Sequence, residues 1–102
     1  MIRTFKNMAL FNFCNLLLLL SKMSNIPYEI LLKNKNDILK SLSPLGELSA
    51  FDAKKCAQAI FSIEIQTLEK IGIKDEIQQK EFRGNLFVIF KEHWASYCTQ
   101  NF

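Results

Sequence analysis

The chain has 102 residues, 49% of them apolar and 23% charged, which is ordinary composition for one small globular unit. Three Gly and two Pro are too few for a collagen, a disordered linker or a loop-rich β-sandwich, and nine Phe supply the bulk of a core. The formal charge of +3 comes from the N-terminus: residues 1–22 carry Arg3, Lys6 and Lys22 and no acid, so residues 23–102 are neutral. A nucleic-acid partner is not expected, because displacing counterions from phosphates needs a basic face. The nearest cluster, Lys33, Lys35 and Lys40, is interrupted by Asp37 and reads as a solvated helix face.

The chain divides into an apolar N-terminal segment, 1–22, and a helical domain, 23–102. Two basic residues precede an apolar run from Met8 to Leu20, broken at Asn12 and Asn15. As a helix this run is about 20 Å long, short of the roughly 30 Å hydrocarbon core of a bilayer. It has the length of a signal-peptide core, yet no pair of small residues marks a cleavage site. Three readings stay open: an uncleaved signal-like membrane-surface anchor, the first helix of a bundle, or a dispensable stretch before a chain that starts at Met23.

Three core helices are expected beyond it. The first spans 27–42: Pro27 suits a first turn, Tyr28, Leu31, Leu32, Ile38, Leu39 and Leu42 share one stripe, and Pro44 and Gly46 end it. The second spans 50–71, with Ser49 as N-cap and Asp52 as its capping-box partner. Its inward face is Ala53, Cys56, Ala57, Ile60, Ile63, Thr67 and Ile71. Gly72 follows as a left-handed C-cap, and Ile73 packs back on the helix. The third spans 76–99, capped by Asp75 with Gln78, and its stripe is Phe82, Leu86, Ile89, Phe90, His93 and Tyr97. Gly84 is the expected place for a kink. The run Leu86–Phe90 alone would also read as a buried strand, but the stripe continues through His93 and Trp94, which favours helix. The expected fold is all-α, a small antiparallel bundle of three core helices plus an apolar N-terminal helix.

Enzyme chemistry has no support in the residues. His93 is the one histidine, so any triad or dyad has to use it, and no Ser or Cys stands in a glycine elbow. There is no phosphate-cradling glycine loop. Cys14, Cys56 and Cys98, spaced by 42 residues, match no metal or disulfide framework, and His93 with Cys98 is two ligands short of a zinc site. No catalytic residue, metal ligand or cofactor is therefore expected.

The helix wheels point elsewhere. The second helix carries a further apolar ridge, Phe61, Ile65 and Leu68, outside its inward face. The third carries Phe87, Trp94 and Cys98, about 100° from its main stripe. Glu64 and His93 fall inside apolar arcs. Something has to cover the extra ridges: residues 1–22, a second copy, or another protein. The expected function is a non-enzymatic protein-binding module: an adaptor, inhibitor, immunity protein or chaperone that masks a partner surface in the cytoplasm. Phe61, Ile65, Leu68, Phe87 and Trp94 form its candidate protein-binding surface. The alternative is a small membrane-associated protein anchored by residues 1–22.

Overall fold

The computed structural model describes residues 2–4, 10–48, 50–97 and 99–101, and these form a small helical bundle. Helix α1 (Leu10–Ser24) lies along α6 (Glu76–Tyr97). Between them come α2 (Tyr28–Lys33), α3 (Lys35–Leu42), a 3-10 turn (Ser43–Glu47), α4 (Ala53–Phe61) and α5 (Ile65–Lys70). A three-residue antiparallel pairing, β1 (Ile2–Thr4) with β2 (Thr99–Asn101), sets Ile2 opposite Asn101 and joins the two ends.

The leucine run is a core element in this structure. Leu16, Leu17 and Leu20 are fully buried against Phe82, Leu86, Ile89 and Phe90 and the rest of one hydrophobic cluster, while Leu18 faces outward. Spacings of one, three and four residues put these three on one side of a helix. The helix ends at Asn25, whose φ of 55° is left-handed. The Ile26 amide then donates to the Ser21 carbonyl at 3.1 Å, and Ile26 tucks into the core, a Schellman-type stop. Asn85 on α6 donates to Ser24 Oγ at 3.0 Å and pins that end.

The expected end of the second helix is found. Gly72 takes φ 93°, the Ile73 amide reaches the Leu68 carbonyl at 2.9 Å, and Ile73 is buried. The cap of α6 is also as expected. Asp75 accepts from the Gln78 amide at 2.8 Å, and Gln78 Oε1 accepts in return from the Lys74 amide at 3.3 Å. Leu86–Phe90 is helix.

Four expectations need correction. The helix over 27–42 is two helices that meet at Asn34, whose side-chain amide donates to the Ile30 carbonyl at 2.8 Å and competes with the backbone ladder. The helix over 50–71 starts later and is broken. Asp52, not Ser49, caps it, accepting from the Lys55 amide at 3.0 Å; Ser49 itself lies outside the described residues. It stops at Phe61, and residues 62–64 separate it from α5. In α6 the departure from helical geometry is at His93 (φ −122°, ψ 17°), not at Gly84, and the helix ends at Tyr97 rather than at 99. His93 is exposed, as is Glu64, so neither sits in an apolar arc. The joined helices share one source: periodicity assumes an unbroken wheel, and a break resets the phase.

Burial separates the cysteines described. Cys14 is half-buried, and its thiol is hydrogen-bonded to the Tyr28 hydroxyl, which holds that phenol above its ordinary value; burial adds to this. Cys56 is fully buried, and burial, with Asp52 adding, pushes its thiol up to about 11 from 9.0. The folded state therefore holds this proton more tightly than the unfolded chain. The contribution is complete below pH about 9 and is lost as pH rises through about 11. Its size is on the order of 2–3 kcal/mol, two pKa units at about 1.4 kcal/mol each. Denaturant melts of the wild type and Cys56→Ala from pH 8 to pH 11 are expected to converge by that amount. A difference that stays constant with pH would show that the thiol does not titrate differently on unfolding.

Candidate binding groove

The break in the second helix makes a groove. After Phe61 the chain turns through residues 62–64 before α5 begins, and α6 runs alongside. The Ser62 hydroxyl donates back to the Gln58 carbonyl at 2.9 Å. Across the gap Arg83 of α6 donates to the Ile60 carbonyl and, at 2.8 Å, to the Ile63 carbonyl. In an unbroken helix those carbonyls would accept from amides four residues on. Here the Ile60 carbonyl accepts from the Ile63 amide at 3.2 Å, and the guanidinium, bonded to both carbonyls, acts as a side-chain cap from a neighbouring helix. Its carbon also lies 5.3 Å from the centre of the Phe61 ring, a cation–π contact. Burial lowers the pKa of Arg83, but an arginine stays charged across the working range of a protein.

The resulting groove encloses about 640 Å³ between α4–α5 and α6. Ala57, Ile60, Phe61, Ile65, Gly84 and Phe87 give it an apolar surface, and Glu76, Gln79, Lys80 and Arg83 complete it. Gly84 keeps one wall low: a Cβ there would meet no atom within 4 Å. Phe61 is 73% exposed and Ile65 58%, unusual for such residues standing side by side.

The five residues expected to form a binding surface separate into two groups. Phe61, Ile65 and Phe87 meet in this groove. Leu68 does not join them: it has no exposed surface and packs in the core. Both Leu68 and Ile65 lie on α5, past the break at residues 62–64; Leu68 faces the core while Ile65 stays out. Trp94 is only 8% exposed and stacks near Phe90 (5.9 Å between ring centres) and Phe51 (6.2 Å). Phe51 also meets Phe87 edge-on at 5.9 Å. The cover that the second ridge of α6 requires is thus supplied by Phe51, a residue just before α4 that belongs to no amphipathic stripe. Cys98, the third member of that ridge, lies outside the described residues.

Arg83 carries no sequence signal for its role, since an arginine three residues after a lysine on a helix reads as solvated. Among the described residues, no group of three His, Cys, Asp or Glu side chains is arranged to hold a metal ion. Among the same residues, no helix is long and apolar enough to cross a membrane. Comparison of the chain with protein-family models, curated proteins and solved structures gives no match.

Proposed function

We propose that this chain is a non-enzymatic protein-binding module of the cytoplasm that works by masking an apolar surface of a partner, as an adaptor, inhibitor, immunity protein or chaperone does. The observation that carries the reading is the juxtaposition of Phe61, Ile65 and Phe87 in one open groove. Leaving two large side chains mostly in water forgoes roughly 1.5–3 kcal/mol each of burial. Aromatic anchors beside a low wall are the usual makings of an interface centre.

A photo-crosslinking residue at Phe61, in the full chain expressed in its own host, is expected to give adducts absent when the same residue replaces exposed Lys33 on α2. Ile65→Ser in the Phe61 crosslinker background is expected to abolish them. Its own effect on stability should stay within about 0.5 kcal/mol, because the side chain is mostly solvated. The same adducts at both positions, or none at either, would overturn the reading.

A membrane-surface role for residues 1–22 has weaker support. Leu16, Leu17 and Leu20 fill the core, so membrane contact through them would require α1 to leave the bundle.

A further inference from the structure

The walls of the groove constrain what fits it. They are helices, α4 and α5 on one side and α6 on the other, with their backbone groups engaged in their own ladders. At the break the Ile60 carbonyl accepts from the Ile63 amide and from Arg83, and the Ile63 carbonyl accepts from Arg83. Among the described residues no strand edge borders the groove, so an extended peptide would find no backbone partners in these walls and would desolvate its own amides at a cost. A helix brings its hydrogen bonds with it. From Glu76 to Phe87 the α6 wall is about 17 Å long, three turns, and Lys91 lies one turn beyond it, which matches a helix of roughly 12–15 residues.

Charge is distributed unevenly around the apolar floor. Lys80 lines it directly. Lys54 stands one turn before Ala57 on α4, and Lys91 one turn after Phe87 on α6; both are exposed. The contact of Phe51 with Phe87, and of Arg83 with the end of α4, shows that α4 and α6 run antiparallel, so Lys54 and Lys91 flank the same end. Glu76 lines the groove toward the other end of α6, and exposed Glu64 directly precedes Ile65 in the chain.

We propose that the groove takes an amphipathic helix of a partner protein, with its apolar stripe on Phe61, Ile65 and Phe87 and its carboxylates over Lys54, Lys80 and Lys91. This inference rests on the binding reading above and adds the partner's secondary structure and charge. Rim charges of this kind select among partners more than they add affinity.

Two stapled 14-residue helical peptides test it, identical in a leucine stripe at i, i+4 and i+7 and differing only in flanking glutamates or lysines. Fluorescence anisotropy with the full chain is expected to show saturable binding of the glutamate peptide, at least about fivefold tighter than the lysine peptide and weakened by salt. A version with alanine in place of the stripe is expected not to bind. The double variant Lys80→Glu/Lys91→Glu, whose sites are exposed, is expected to keep the wild-type melting curve and reverse the preference. Equal binding of both peptides, or of neither, would overturn the inference, as would a dimer of the chain alone that Ile65→Ser dissolves. If crosslinking at Phe61 still captures a partner while the peptides fail, the binding reading stands and the helical ligand is wrong. If both experiments fail, both fall.

Discussion

A chain cut to residues 23–102 is expected to lose its cooperative thermal transition and to bind hydrophobic dyes. The cut removes Leu16, Leu17 and Leu20, all fully buried, and uncovers the face of α6 on which they lie. Truncating one buried leucine to alanine costs about 2–5 kcal/mol, and native stability is only about 5–15 kcal/mol. Losing three together with the helix that carries them exceeds that margin. Point variants keep the test from resting on truncation alone. Leu16→Ala is expected to lower stability by about 2–5 kcal/mol in a denaturant melt, whereas Leu18→Ala, at a position 41% exposed, should change it by less than about 1 kcal/mol. A 23–102 chain that melts cooperatively within a few degrees of the full chain would show α1 to be an appendage rather than a wall of the core.

The sequence left that expectation as one of three readings of residues 1–22, and the reason is physical. A run such as Leu16–Leu20 has apolar residues on every side, so its periodicity does not say whether lipid, a partner or its own bundle covers it. Only the packing of Leu16, Leu17 and Leu20, with Leu18 left outside, selects among the three. The features legible beforehand were those governed by local chemistry. Gly72 with Ile73 and Asp75 with Gln78 act through atoms within six residues of each other, and each stop and cap is where those residues place it. The features that were not legible act across the chain. Arg83 ends α4 from 20 residues away, and Phe51 covers Trp94 from another element. Of the candidate surface, Phe61 was readable because it lies before the break, and Phe87 because it lies on α6 before the departure at His93. Ile65 and Leu68 both lie after the break, where a wheel drawn through residues 50–71 no longer holds, and of the two Ile65 faces out while Leu68 is buried.

Arg83 binds the carbonyls at the break and lines the groove, and Arg83→Met is expected to lower stability by about 2–4 kcal/mol. Methionine keeps much of the apolar stem but donates nothing, so the Ile60 and Ile63 carbonyls lose a charge-assisted partner, each bond being worth roughly 1.5–3 kcal/mol net. The Ile60 carbonyl keeps its bond from the Ile63 amide, which offsets part of the loss and sets the lower end of the range. For a chain of this size the melting temperature should fall by roughly 10–20 °C. Arg83→Lys is expected to recover less than half, because an ammonium cannot span two carbonyls as the guanidinium fork does. Far-ultraviolet circular dichroism below the transition adds an independent readout. If Arg83 is what holds residues 62–64 out of the helix, the methionine variant gains helical signal as α4 extends toward α5. A loss under about 0.5 kcal/mol with an unchanged spectrum would mean that the Ser62 hydroxyl alone, bonded back to the Gln58 carbonyl, stops the helix. Arg83 would then matter to the groove only through its contact with Phe61.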